Sequence, residues 1–351
     1  MDIYVLNDDL EILDIIDTYK SIIWTNRYYD SGDFELYLPA NEKMIELLQV
    51  DRLITRAEDL SNCMIIENIS ITTDVEEGNY MIVTGRSLST ILSRRIVLKQ
   101  TNVSGTVEVC IRKLIDENAI NPTTTWRKFK KLILGDGLGI SDEITAQFTG
   151  DNLEEAVKSL CKPYNLGYDI LLDLDNKQFV FTLYRGADRT YNQTEVPPII
   201  FSNEFENLLK TDYIKNTENY KNYIVVAGEG EGSARKTAHI TPGVMRGDLW
   251  LREQYIDARD ISSNNGEIAG VAYINLLTER GEEKLKEYTI IESVAGEVEA
   301  NHTYKVNEDY FLGDLVEIET EYGMTARARI IEIIQSEDDS GVYIIPTFDY
   351  S

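Results

Sequence analysis

Residues 33–39 read DFELYLP, and their spacing sets the class of the fold. Phe34, Leu36 and Leu38 alternate with Glu35 and Tyr37, the period-2 pattern of a strand with one buried face. Neighbouring stretches have the same Ile, Val, Tyr and Phe enrichment: SIIWTNRYY (21–29), MIIENISI (64–71) and YMIVTG (80–85). Turn-forming residues separate them, DSGD at 30–33 and EEGN at 76–79, and NEKMIELLQ (41–49) reads as one short helix crossing a barrel end. The first hundred residues thus predict a small β-barrel or sandwich.

Downstream the period changes. In VEVCIRKLI (107–115), Val107, Cys110, Ile111 and Leu114 share one helical face. A second helix follows Asp151, with Leu153, Ala156, Val157, Leu160, Cys161 and Tyr164 on its stripe. Asp151 and Glu154 read as its capping pair and Gly167 as its exit. YDILLDL (168–174) and QFVFTLY (178–184) then form a hairpin through Asp175, Asn176 and Lys177. After Pro197-Pro198 strands return. One helix is predicted near 267–288, with Ile274, Leu277, Gly281, Leu285 and Tyr288 along a stripe, before DLVEIET (314–320), ARARIIEII (326–334) and GVYIIPTF (341–348). The expected fold is α+β but mostly β: a barrel over 1–100, an α+β insert over 101–196, and a second barrel with helix-containing decoration over 197–351. Segments exchanged between the barrels are compatible with this pattern.

The whole-chain numbers narrow the function. The 351 residues are 43% hydrophobic and include 21 tyrosines, enough for buried cores. No apolar run approaches the roughly 18 to 20 residues of a membrane span, so no membrane insertion is expected. The N-terminal MDIYVLNDDLEI lacks a basic-then-apolar export signal. With 34 Lys+Arg against 61 Asp+Glu, the net charge of −27 opposes sequence-independent binding of a nucleic-acid backbone. Cys63, Cys110 and Cys161 form no CxxC pair, so neither a zinc site nor a disulfide framework is indicated.

YIVVAGEGEGSARKTA (223–238) has the look of a phosphate cradle, a strand running into Gly228, Gly230 and Gly232. The spacing is GxGxG rather than GxGxxG, Glu229 and Glu231 would repel a polyphosphate, and no helix is predicted after it. The loop reads as a turn or bulge. The two histidines, His239 and His302, lie in no nucleophile-elbow context, and His239 is expected to face solvent. DLDNK (173–177) and SEDDSG (336–341) lack EF-hand spacing and read as hairpin turns. WRKFKK (126–131) reads as a lysine-protected strand edge. No catalytic, cofactor or metal constellation emerges.

Several segments, in order, give the chain a recognisable pattern. They are SGDFELYLPAN (31–41), TGRSLSTILSRRIV (84–97), FTGDNLEEAVKSLCKPYNLGYDI (148–170), FVFTLYRGADRT (179–190), IIFSNEFENLL (199–209), YKNYIVVAGEGEGSAR (220–235) and DYFLGDLVEI (309–318). With ARIIEI and GVYIIPTF at the end, the set resembles the siphovirus-type tail-hub (baseplate hub) proteins of phages and prophages. The resemblance implies a non-enzymatic virion protein without cofactors, assembled in the bacterial host cytoplasm. Its expected place is the distal tip of the tail.

It further implies a homotrimer, two barrels per chain making a pseudo-hexameric ring between the tail tube and the tip or spike proteins. DNA would pass the negatively charged channel without specific binding. On this resemblance Gly228, Gly230 and Gly232 make a sharp exit from a barrel strand, with Arg235 resuming the chain, while Gly85, Arg86, Gly313 and Asp314 mark barrel corners. No peptidase, lysozyme or spike domain is expected after Tyr350-Ser351. Two other readings stay open: a receptor- or carbohydrate-binding tail module, and a β-rich glycosidase or peptidase.

Overall fold

A computed structural model describes residues 1–74, 78–202, 204–205, 207–208, 210–241, 248–297, 303–319 and 325–350. Glu76, Glu77, Pro242 and His302 therefore lie outside the described residues, and with them half of the EEGN turn.

The N-terminal part contains β1 (Ile3–Leu6), β2 (Ile12–Ile16), β3 (Ser21–Arg27), β4 (Asp33–Pro39), α1 (Glu42–Leu47), β5 (Leu53–Arg56), β6 (Asp59–Asp74) and β7 (Gly78–Ser87). The alternation in β4 is as the sequence requires: Phe34, Leu36 and Leu38 are buried, Glu35 is exposed and Tyr37 is half-buried. A short 3-10 helix, Leu88–Arg94, follows β7.

The insert holds β8 (Thr101–Thr106), α2 (Val107–Ile115), β9 (Leu132–Leu134), β10 (Glu143–Phe148), α3 (Leu153–Cys161), β11 (Gly167–Asp173) and β12 (Gln178–Tyr184). Both helices pack one apolar face inward, and Cys110 and Cys161 sit there as small hydrophobes. Three details differ from the sequence reading. The cap of α3 is Asn152, whose side-chain oxygen accepts the Glu154 and Glu155 amides, while Asp151 accepts the Thr149 amide just outside the helix. The chain leaves the helical region at Asn165, in the left-handed conformation at φ 53°, and Gly167 already opens β11.

The WRKFKK stretch is the third difference, since it is a 3-10 turn (Thr125–Arg127) and loop rather than a strand edge. Buried Arg127 donates to the Ile96 carbonyl, and Arg95 stacks on Phe129 while donating to the Arg127 carbonyl. Arg127 and Phe129 thus hold the Ile96 carbonyl and the Arg95 side chain.

The C-terminal part comprises β13 (Ile200–Ser202), β14 (Lys210–Asn216), β15 (Tyr223–Ala227), β16 (Thr237–Ile240), β17 (Glu253–Asp257), α4 (Gly270–Glu287), β18 (Ile291–Glu297), β19 (Leu315–Glu319), β20 (Thr325–Asp338) and β21 (Gly341–Tyr350). β15, β16 and β17 form a small sheet covered by α4, with Tyr273, Leu277 and Gly281 buried against it. Ile274, Leu285 and Tyr288 pack at its margin.

The sequence pattern places the N- and C-terminal strands in two barrels that can exchange segments. Among the described residues they instead share one sheet, in the order β14-β18-β21-β20-β3-β4-β7-β6-β5-β1-β2, with β19 also on β20 and β13 on β19. The described pairings leave this path open at β14 and β2. The cause is the 14-residue length of β20. One edge of β20 pairs first with β19, over residues 325–329, and then with β3, over residues 332–338. The register shift between Ile330 and Glu332 marks the change. β19 and β3 therefore abut end to end along one strand, and separate cores lie on either side: Trp24, Leu36 and Val83 in one, Phe201, Ile330 and Phe348 in the other.

Candidate functional site

The abutment of β3 and β19 is where all the main parts of the chain meet. Tyr28 follows β3, and its amide donates to the Ile331 carbonyl of β20 at 2.9 Å. Gly313 and Asp314 precede β19; the Gly313 amide donates to the Ile330 carbonyl, and the Ile330 amide donates back to the Asp314 carbonyl. The buried Tyr28 ring packs against Gly313, where a Cβ would come within 2.3 Å of the ring. Gly313 also has φ +92°, a conformation that side-chain-bearing residues rarely adopt.

The insert enters the same joint. The Tyr28 hydroxyl donates to the Asn165 carbonyl at 2.8 Å and accepts the Gly186 amide at 3.3 Å. Gly186 crosses Gly313 backbone to backbone; a Cβ there would meet the Gly313 carbonyl at 1.9 Å. Asp314 completes the lock. It is 2% exposed and its carboxylate accepts from the Ala187 amide (2.7 Å), the Phe311 amide (3.0 Å) and Arg189 Nε (2.5 Å). An ionised carboxylate so deeply buried is tolerable because each oxygen is satisfied and a cation faces it. Gly313 and Asp314 were singled out in the sequence. Tyr28, Gly186 and Arg189 were not, although RGADR at 185–189 placed a glycine and an arginine in the matched pattern.

Gly85 and Arg86 occupy a second bend. The β6–β7 register shifts between Ile66 and Asn68, leaving Glu67 as the extra residue of a bulge. Arg86 grips Glu67 with two hydrogen bonds, Nε at 2.7 Å and Nη2 at 3.0 Å. A Cβ on Gly85 would strike the Ile65 carbonyl oxygen.

The glycine loop is tied to its own chain. Arg235 spends its donors on the chain itself: Nε to the Gly228 carbonyl (3.0 Å), Nη2 to the Ala227 carbonyl (2.9 Å) and to Asp257 (2.6 Å). Glu229 accepts the Ser263 amide and hydroxyl, and Gly228 sits under the Tyr273 hydroxyl, which accepts the Glu229 amide and donates to the Ile261 carbonyl. Gly230 and Gly232 take left-handed conformations, φ +97° and +53°, and a 3-10 turn leads into β16. His239 is exposed on β16, as expected, beside the Tyr223 hydroxyl.

Burial raises the pKa of several acids, Glu154 and Asp169 among them. Glu154 is buried among Ser31, Ser89 and Tyr168; it accepts from Ser31 and Tyr168, and burial raises its pKa. Burial also pushes Asp169, on β11, up to about 7. Asp169 lines a cleft of about 290 Å³ between β3, the β11–β12 hairpin and the 307–312 segment. Among the described residues no cluster of His, Cys, Asp and Glu is arranged to hold a metal ion, and no helix is long and apolar enough to cross a membrane.

Solved structures of phage tail proteins share this architecture. The chain is similar over 99% of its length to the tail protein from Neisseria meningitidis MC58 (13% identity, 96% of that chain, TM-score 0.61). It is similar over 99% to the 43 kDa tail protein of prophage MuSo2 from Shewanella oneidensis (14% identity, 98% of that chain, TM-score 0.60). It is similar over its full length to prophage tail protein gp18 from Listeria monocytogenes EGD-e (14% identity, 95% of that chain, TM-score 0.52). At these identities the likeness defines a fold, and the fold is that of phage tail proteins. The chain itself belongs to the Siphovirus ReqiPepy6 Gp37-like protein family, whose pattern matches residues 2–348. Among curated protein sequences no relative matches.

Proposed function

We propose that this tail protein is a structural hub. Three copies form a pseudo-hexameric ring at the distal end of the tail tube and adapt the tube to the tip or baseplate, without catalysis. The observation that carries this reading is the abutment of β3 and β19 on β20. It fixes two β units of one chain, each with its own core, in a single continuous sheet. A rigid pair of β units per chain is what a three-copy ring needs to present six similar positions to a six-fold tube.

In this reading residues 1–100 and 197–351 supply the two barrel-like units, and 101–196 stands outside the ring as the insert. Gly85, Arg86, Gly313 and Asp314 shape unit corners, and the Gly228–Arg235 loop shapes the exit of β15. The partners are tube and distal tail proteins above and tip or spike proteins below. The net charge of −27 would let DNA pass the lumen without sticking. Assembly takes place in the bacterial cytoplasm before incorporation at the tail tip.

The test is light scattering on the full chain over a concentration series, alone and with its tail-tube protein. Closed three-fold symmetry predicts a species of about 120 kDa, three copies of the 40.1 kDa chain. A chain that stays monomeric in both conditions overturns the ring.

A further inference from the structure

We propose that the cleft between β3, the β11–β12 hairpin and the 307–312 segment binds an alkyl guanidinium or ammonium group, the chemistry of an arginine or lysine side chain. Arg27, in the cleft wall, is already committed to Glu332 (2.7 Å), Asp33 (2.5 Å) and the Ser31 carbonyl (3.1 Å). Asp30 is taken by Lys158 at 2.5 Å, and Asp59 has Arg56 within 3.8 Å as well as the Ser61 hydroxyl and Asn62 amide. Asp169 forms no salt bridge among the described residues, and its hydrogen-bond donor is the adjacent Ile170 amide, at 2.7 Å. Among the described residues, the cleft thus contains one carboxylate that faces no cation.

The walls suit a cation with an aliphatic stem. Tyr184 and the half-exposed Phe311 line the same cleft, and aromatic faces attract guanidinium and ammonium groups. Leu171 and Leu312 offer apolar contact for methylenes. A carboxylate partly withdrawn from water and left without a cation is costly, and a ligand that supplies that cation relieves the cost on binding. A neutral polyol would leave it in place. The displaced acidity of Asp169 is in keeping with this uncompensated burial. The inference does not depend on the ring: the cleft is built within one chain.

The experiment is methyl NMR of the full-length protein at pH 8, titrated with N-acetyl-argininamide. The uncharged N-acetyl-citrulline amide serves as isosteric control and N-acetylglucosamine as a saccharide probe. Saturable shifts at Leu171, Leu312 and Thr182, with Leu160 in the insert core unmoved, are expected for the argininamide alone. A dissociation constant in the millimolar range fits a single side chain presented free. The Asp169→Asn variant should lose these shifts. Equal response to the citrulline amide removes the role of charge and overturns the proposal. So does a response to the sugar alone, or no response at these methyls in the native protein; these outcomes stand whether or not the variant folds.

Discussion

Arg189 Nε lies 2.5 Å from Asp314 Oδ2, in a contact that ties the end of the insert to the start of β19. The two residues are 9% and 2% exposed, so water contributes little to either charge. Asp314 also holds the Ala187 and Phe311 amides. Its removal would leave a buried guanidinium and two part-buried N–H groups without their acceptor.

Asp314→Ala is therefore expected to destabilise the chain by about 3 to 5 kcal/mol, the usual cost of leaving one member of a buried pair alone. Asp314→Asn keeps one acceptor oxygen and the side-chain volume, and should cost less. Chemical denaturation followed by tyrosine and tryptophan fluorescence reads both. Losses within about 0.5 kcal/mol for the alanine variant, the range of surface changes, would show that the joint does not hold the units together.

Two glycines with left-handed backbones give a paired prediction. Gly232, φ +53°, has open space where a Cβ would go, so Gly232→Ala should cost only the backbone conformation, about 1 to 2 kcal/mol. Gly313→Ala meets both a disfavoured φ of +92° and the Tyr28 ring at 2.3 Å. Tyr28 cannot retreat freely, because Gly167 and the Tyr184 ring pack on it and its hydroxyl is held by Asn165. The Gly313 variant should thus lose at least about twice as much as the Gly232 variant. Thermal unfolding of the two, side by side, decides; equal losses would mean that the ring contact is soft.

These residues also show what a sequence discloses. Local periodicity was legible: the alternation in β4, the faces of α2 and α3, and the β11–β12 hairpin all follow from side chains a few residues apart. Asn152 and Asp151 could not be told apart as caps, since both are good acceptors and only the backbone entry angle selects one. The union of the β units was not legible. It depends on β20 pairing with β3 some 300 residues away, and nothing local distinguishes a strand serving one neighbour from a strand serving two in succession. Gly313 and Asp314 stood out through a matched pattern; Tyr28, which they require, is one of 21 tyrosines. Asp169 is likewise one of 61 acids until the fold pairs its neighbours Asp30 and Asp59 with cations and leaves it the Ile170 amide.

That same Asp169 sets a pH dependence whose sign can be derived. Its ordinary pKa of 3.8 rises to about 7 in the native chain, with burial as the main cause, the Ile170 amide opposing and the Asp59 charge adding to the rise. Between those values the folded protein holds a proton that the unfolded protein has released. Stability from this group therefore falls as pH rises from about 4 to 7, and the penalty is complete above 7. Three pKa units at about 1.4 kcal/mol each set an upper limit near 4 kcal/mol. Asp169 borders an open cleft and keeps some hydration, so about 1 to 2 kcal/mol is the expected size. Asp169→Asn removes the penalty: it should be more stable than the native chain at pH 8 and nearly equal to it at pH 4.5. Denaturation midpoints at the two pH values test this directly, and a variant less stable at pH 8 would mean that the carboxylate is compensated in the folded chain after all. Adding argininamide to the native protein at pH 8 should recover part of the same stability, which links the titration to the cleft's ligand rather than to a general effect of removing a charge.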